Sequence, residues 1–262
     1  MQSKGNVILM RMLRSHLPQT SRSDVSLEAA NPAVRGAFVT SLGCLLALVL
    51  AGFALFGDQA NWWLVISLSA AFFVVGTTLT LLGMSRHYPH RRLGGGNVVT
   101  LMRLALTAVL FGALALPYTQ SWTPFALAAL ALSLDGADGW LARRQGLASR
   151  FGAAFDMQVD AALALVLALL AWFSGAAPAV VILLGLPHYL FALAQSAWPW
   201  LRAPLPARFS RKVICVVQLS VLIALQAPIV GGDLTALLTT LAAIGLIWSF
   251  SVDCLWLWRN RM

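Results

Sequence analysis

Long stretches with almost no charged residue recur along the chain, and they restrict it to folds that are stable inside a membrane. Eight of them approach or exceed the roughly 20 residues that a helix needs to cross a bilayer core. By residue number they are 36–56, 62–84, 98–117, 122–141, 152–173, 177–200, 213–230 and 234–257. Only 10% of the residues are charged, against 60% that are hydrophobic. The sequence therefore predicts an all-α integral membrane protein with about eight transmembrane helices.

The basic residues predict the orientation of these helices. All 18 Lys and Arg residues lie in the N-terminal segment, in alternate loops, or near the span ends that adjoin them, whereas turns on the other side carry Asp58 and Asp233. Lys and Arg accumulate on the cytoplasmic side of membranes. We therefore expect both termini to be cytoplasmic, in the inner (cytoplasmic) membrane of a bacterium. The net charge of +9 then reflects topology and attraction to anionic membrane lipids, and we expect no binding to nucleic acid.

The composition changes at one place, a basic and glycine-containing stretch at residues 86–96. We therefore divide the chain into a cytoplasmic basic segment at 1–35, two transmembrane helices with a basic loop at 36–96, and a six-helix core at 97–262. The run Gly94 to Gly96 lacks the strand-then-helix setting of a nucleotide-binding fingerprint, so we expect it to be flexible.

Four aspartates lie within two of the predicted spans. Asp135 and Asp138 are three residues apart, and Asp156 and Asp160 are four apart, so on helices each pair shares one face. The two helices are consecutive and antiparallel, which places both pairs at the same membrane surface. Charged groups inside a bilayer are costly and normally face a partner or a cavity. The sequence therefore predicts that four carboxylates converge on one small volume.

Such a cluster repels itself unless cations neutralise it. Ligation by carboxylate oxygens alone suits Mg²⁺, Mn²⁺ or Ca²⁺ better than Zn²⁺. Two hard cations close together stabilise the attacking and leaving oxygens in phosphoryl transfer. We therefore predict a site for two divalent cations, Mg²⁺ or Mn²⁺, that acts on a phosphate-containing substrate.

Small residues and an arginine accompany the aspartates at fixed spacing, and the full set is Asp135, Asp138, Gly139, Ala142, Arg143, Gly152, Asp156 and Asp160. This set resembles the signature of the CDP-alcohol phosphotransferase (CDP-alcohol phosphatidyltransferase) family, with all eight fixed positions present at the family spacing. Upstream, Asn97, Thr100 and Arg103 resemble the family's segment at the start of its first core helix, with Gly96 where a proline is frequent. The resemblance covers residue 97 to the C-terminus.

The resemblance implies an enzyme of phospholipid biosynthesis. Its donor would be a CDP-linked lipid such as CDP-diacylglycerol, and it would release CMP. The four aspartates would bind metal, and Asp160 would also act as the general base, assisted by Arg143. The donor nucleotide would lie near the residues Gly139, Ala142, Arg143, Gly152, Asn97 and Thr100. A homodimer is also implied.

The same resemblance implies an acceptor that is a small alcohol or a phosphorylated polyol. Relatives with phosphorylated acceptors often carry basic residues in the region that corresponds to residues 208–212 of this chain. Arg208 and Lys212 are the candidates for binding an acceptor phosphate, although anchoring at the membrane surface explains them about equally well. An intramembrane transporter and a non-catalytic scaffold on the same helices are the alternatives. Release of CMP separates an enzyme from a transporter, and binding of the CDP-lipid separates either from a scaffold.

Overall fold

The computed structural model describes residues 31–117, 121–203, 206 and 208–259, and the side chain of Arg202 is not described. Residues 1–30, most of the predicted cytoplasmic segment, lie outside the described residues. Every regular element in the described part is helical, which confirms the predicted all-α class. The helices are α1 (Pro32–Phe56), α2 (Trp62–His87), α3 (Gly95–Ala113), α4 (Trp122–Arg144), α5 (Arg150–Phe173), α6 (Ile182–Gly185), α7 (Pro187–Ala197), α8 (Phe209–Ala224) and α9 (Gly232–Arg259). Two short 3₁₀ turns, Ala179–Val181 and Pro199–Arg202, precede α6 and follow α7.

Six of these helices, α1 to α5 and α9, are long and apolar enough to cross a membrane. Their outer faces are apolar: Leu46 on α1 is 61% exposed and Ile247 on α9 is 66% exposed. In water such faces would be unfavourable, whereas lipid chains solvate them well. The chain is therefore an integral membrane protein.

The two remaining predicted spans are less regular than the sequence suggested. The predicted span 177–200 is broken, because Ala179–Gly185 and Pro187–Ala197 meet at an angle of 63°. Pro187 causes the break, since its ring has no N–H to donate and clashes with the preceding turn. The predicted span 213–230 corresponds to α8, which has 16 residues and ends before a turn that contains Pro228.

Helix α3 lies at the centre of the bundle and packs against α1, α2, α4 and α5. It is also the most buried of the six long helices. Its contact with α2 is close at Gly112, where an added Cβ would lie 2.0 Å from Oγ of Ser69 and 2.4 Å from the carbonyl oxygen of Val65. One continuous hydrophobic core includes side chains from α1 and α2 and from the helices of the region 97–262, among them Leu48, Phe73 and Leu101.

Candidate metal centre and active site

The four aspartates lie on α4 and α5 around a single arginine from α3. Asp135 and Asp138 are in the C-terminal half of α4, and Asp156 and Asp160 are in the first three turns of α5. Arg103 is fully buried, with 0% of its side chain exposed. The convergence of the carboxylates follows from the helical spacing, whereas the arginine between them comes from a third helix.

Arg103 contacts all four carboxylates. Its Nη2 lies 2.8 Å from Oδ1 of Asp135 and also bonds to Oδ1 of Asp160. Its Nη1 lies 2.8 Å from Oδ2 of Asp138 and also bonds to Oδ1 of Asp156. Its Nε donates to the carbonyl oxygen of Ala131 at 3.1 Å, which fixes the guanidinium plane. One positive charge against four carboxylates leaves the cluster strongly negative, so it attracts further cations.

Asp138 has a different setting from the other three aspartates. Its side chain is 6% exposed, whereas those of Asp135, Asp156 and Asp160 are about one third exposed. Thr100 donates to its Oδ2 at 3.3 Å, and the backbone N–H of Gly139 donates to its Oδ1 at 2.6 Å. Asp138 therefore holds α3 and α4 together while the other three carboxylates reach solvent.

The three more exposed aspartates fit a divalent cation. Asp135, Asp156 and Asp160 each offer one carboxylate oxygen, and these oxygens lie within 4.8 Å of one another. Oxygens on opposite sides of a bound Mg²⁺, Mn²⁺ or Ca²⁺ are about 4 to 5 Å apart. The donor set and its spacing are therefore compatible with a hard cation.

Glycines near the aspartates lie where two helices approach closely. An added Cβ on Gly96 would lie 2.7 Å from the carbonyl oxygen of Asp138 and 3.0 Å from Cβ of Ala142. A Cβ on Gly152 would lie 3.2 Å from Oδ1 of Asn97, whose side chain is buried. Gly95 and Gly96 are thus the first residues of α3, packed against α4, and the expectation of a flexible glycine run was wrong at these two positions.

Ser149 caps the helix that carries the second aspartate pair. Its side-chain oxygen accepts from the backbone N–H of Gly152 at 3.0 Å, which satisfies one of the free N–H groups at the start of α5. The helix therefore begins six residues before Asp156, so that this aspartate and Asp160 both lie on regular helix.

Arg143 lies beside the cluster and outside it. Its side chain is exposed, and its Nη1 lies 3.1 Å from the position that a Cβ on Gly139 would take. It forms no ion pair with the aspartates among the described residues. Its guanidinium is therefore available to a bound phosphate.

A cavity of about 270 Å³ adjoins the cluster at Asp160. It lies between α5, α7, α8 and α9, and most of its lining is apolar. The polar groups on its wall belong to Asp160, His188, Arg211, Gln218, Ser249 and Asp253. Asp160 thus lies at the boundary between the carboxylate cluster and a space of the size of a small molecule.

The two basic residues predicted to bind an acceptor phosphate, Arg208 and Lys212, have different surroundings. Arg208 forms an ion pair with Asp253, with Nη1 2.8 Å from Oδ1, and its guanidinium lies 5.9 Å from the ring centre of Trp248. Lys212 is exposed and does not line the cavity, whereas Arg211 does. The sequence reasoning favoured Arg208 and Lys212 over Arg211, and it missed Asp253, although an acidic residue in an apolar helix such as α9 is itself a sign of a partner.

Comparison with known proteins gives a family. The sequence profile of the CDP-alcohol phosphatidyltransferase family matches residues 96–250, which is more than half of the 262 residues. The matched region contains all four aspartates, Arg103 and the cavity-lining Arg211. No curated protein sequence and no solved structure matched the chain significantly. On the evidence of the profile match, the chain belongs to the CDP-alcohol phosphatidyltransferase family.

Proposed function

We propose that the protein transfers a phosphatidyl-type group from a CDP-linked lipid, such as CDP-diacylglycerol, to a hydroxyl acceptor and releases CMP. Family membership gives the general reaction, which is transfer of such a group from a CDP-alcohol. The observation that carries the specific proposal is the position of Asp160, which belongs both to the carboxylate cluster and to the lining of the cavity. A single carboxylate is thus placed between a charged centre and a space for an acceptor.

Two divalent cations, Mg²⁺ or Mn²⁺, complete this site in the proposal. Asp135, Asp156 and Asp160 would hold them through their grouped oxygens, and Asp138, which pairs with Arg103 in this structure, would complete the set. When bound, the cations neutralise the charge that develops on the phosphates. Arg103 then remains as a buried counter-ion that keeps the carboxylates facing one another.

Asp160 acts as the general base in this scheme. It accepts the proton of the acceptor hydroxyl as the hydroxyl oxygen attacks the lipid-side phosphorus. The new P–O bond joins the acceptor to the phosphatidyl group, and the bond from that phosphorus to the CMP oxygen breaks. Arg143, exposed beside Gly139, steadies the departing phosphate.

The donor nucleotide lies along the small residues where α3, α4 and α5 meet. Gly139 and Gly152 carry no side chain there, and Ala142 carries only a methyl group. Asn97 and Thr100 supply polar atoms on the facing side of α3. This surface allows the nucleotide to approach the backbone closely.

The proposal also includes the setting of the enzyme. The aspartates lie at the end of the bundle where α4 and α5 are joined, beside Arg143, Arg144 and Arg150. This basic end is cytoplasmic by the positive-inside rule, in the inner membrane of a bacterium, where the enzyme contributes to phospholipid biosynthesis as a homodimer.

The test is release of CMP by the purified protein from CDP-diacylglycerol, with Mg²⁺ or Mn²⁺ and a panel of acceptor alcohols. We expect release to require metal and one class of acceptor, and to fall at least about 100-fold in Asp160→Asn, the range typical for loss of a general base. Asp58→Asn, which removes an exposed carboxylate outside the cluster, is the matched control. Absence of CDP-lipid binding would favour a scaffold. Binding without CMP release, together with movement of a solute across vesicles, would favour a transporter.

A further inference from the structure

The cavity beside Asp160 contains a second charged cluster, formed by Asp253, Arg208 and Arg211. Asp253 is 7% exposed and belongs to α9. Its Oδ1 accepts from Nη1 of Arg208 at 2.8 Å and from Nη2 of Arg211 at 3.3 Å, and its Oδ2 lies 2.9 Å from Nε of Arg211. A single buried carboxylate therefore holds two guanidinium groups.

The backbone and a neighbouring side chain also fix these arginines. Nη2 of Arg211 donates to the carbonyl oxygen of Pro206 at 3.1 Å, and Nη2 of Arg208 lies 3.4 Å from Oγ of Ser210. Arg211 and Asp253 both line the cavity, whereas Arg208 does not. The cavity wall therefore presents a guanidinium and a carboxylate side by side.

This arrangement limits the positive charge that the cavity offers to an acceptor. Two guanidiniums and one carboxylate carry one net positive charge. The charge of Asp160 on the same cavity is taken up by the metals of the proposed site. An acceptor with a dianionic phosphate would therefore meet a carboxylate and only one uncompensated cation in the Asp253 cluster. An acceptor of zero net charge that carries an acid group and an ammonium group would find a partner for each.

We propose that Asp253 determines acceptor specificity, by holding Arg211 in the cavity wall and limiting its charge so that zwitterionic amino alcohols are accepted in preference to phosphorylated polyols. The inference rests on the proposed function, since it concerns the acceptor of that reaction. Asp253 acts through Arg211 and is a positioning residue. Asp253 and Arg211 offer one partner for an ammonium group and one for an acid group of the acceptor. Apart from them and Asp160, the polar side chains on the wall are those of His188, Gln218 and Ser249, and none of these carries a permanent positive charge for a second negative charge.

The experiment compares the KM of a zwitterionic acceptor, serine, with that of a dianionic acceptor, glycerol 3-phosphate, in the CMP-release assay. In the unaltered protein we expect the KM for serine to be lower by about tenfold or more. In Asp253→Asn the ratio of the two KM values should shift by about tenfold toward glycerol 3-phosphate, because one nearby charge is removed. Asp253→Glu should restore the original preference, and Asp233→Asn, an exposed change on the same helix, should leave the ratio unchanged.

A ratio of KM values does not depend on how much of the protein is folded, so a purely structural role for Asp253 would not move it. A lower KM for glycerol 3-phosphate in the unaltered protein, or the same ratio in Asp253→Asn, would overturn the inference. The dissociation constants of serine and glycerol 3-phosphate can also be measured by calorimetry on the Mn²⁺-loaded protein without donor. Their ratio tests the role of Asp253 separately from the proposed transfer reaction. Absence of CMP release would then overturn the reaction, and an unchanged ratio of dissociation constants would overturn the role of Asp253.

Discussion

Nη1 of Arg103 lies 2.8 Å from Oδ2 of Asp138, and neither side chain is more than 6% exposed. A guanidinium from α3 and a carboxylate from α4 are thus paired inside the protein, next to three further carboxylates. Loss of one partner from a buried pair leaves an uncompensated charge, which typically costs about 3 to 5 kcal/mol. This pair therefore links the stability of the bundle to the chemistry of the site.

Replacement of Arg103 by methionine should destabilise the protein by about 3 kcal/mol or more when metal is absent, because four carboxylates then face one another without a counter-ion. Thermal unfolding in detergent with EDTA measures the loss. Added Mn²⁺ should raise the midpoint of unfolding more in this variant than in the unaltered protein, since the cation replaces the lost charge. Arg86→Met, an exposed change on α2, is the control, and equal Mn²⁺ effects in all three proteins would contradict the prediction.

The position of the aspartates could be predicted from the sequence, but their arginine partner could not. Their spacing of three and four residues predicts two pairs on helix faces, and the structure brings all four to one arginine. Arg103 itself lies 32 residues before Asp135, so no local pattern connects the two. A single arginine in an otherwise uncharged span does indicate that a partner exists, but only the packing of α3 between α4 and α5 identifies it.

Asn substitution of Asp135, Asp156 or Asp160 should weaken Mn²⁺ binding at least about tenfold, because even residues that only support metal ligands contribute 10- to 100-fold. Electron paramagnetic resonance of free Mn²⁺ gives the affinity without any assay of turnover. Asp58→Asn should bind Mn²⁺ like the unaltered protein. Undiminished binding in all three variants would show that the oxygens grouped within 4.8 Å do not hold the metal.

Gly96→Ala should cost about 1 to 3 kcal/mol in stability, the usual range for overpacking, since its Cβ would lie 2.7 Å from the carbonyl oxygen of Asp138. The change pushes α3 away from α4 and should also lower the affinity for Mn²⁺. Gly136→Ala on α4 is the matched control, because a Cβ there meets nothing within 4 Å. Similar unfolding midpoints for the two variants would be incompatible with a close contact at Gly96.

The glycines and the broken helix were harder to predict. Three consecutive glycines suggest freedom of the backbone, yet two of them begin α3 because their missing side chains admit α4. Apolar composition alone also predicted a straight span at 177–200, although Pro187 in its middle was visible in the sequence. In both cases the composition predicted a helix. Contacts with α4 explain why the glycines are helical, and the missing N–H of Pro187 explains why the span is broken.

Gln218→Met should destabilise the bundle by about 1 to 3 kcal/mol, because the Nε2 of this buried glutamine donates to the carbonyl oxygen of Leu184 beside the break between α6 and α7. Methionine keeps the volume and removes the donor. Thermal unfolding is the measurement, and Gln158→Met on the exposed face of α5 is the control. The same unfolding midpoint for Gln218→Met and the unaltered protein would mean that the carbonyl finds another partner.

Gly112 belongs to the region that matches the family, whereas Ser69 lies outside it, and the two meet with no room for a Cβ between them. The region that matches the family profile, residues 96–250, is therefore smaller than the region that packs as one unit, which includes α1 and α2. A fragment trimmed to start at residue 97 would present to lipid a groove shaped for another helix, so we expect it to be a poor substitute for the whole protein in expression or reconstitution. Gain or loss of the first two helices during descent would likewise have required changes on the face of α3 that they cover.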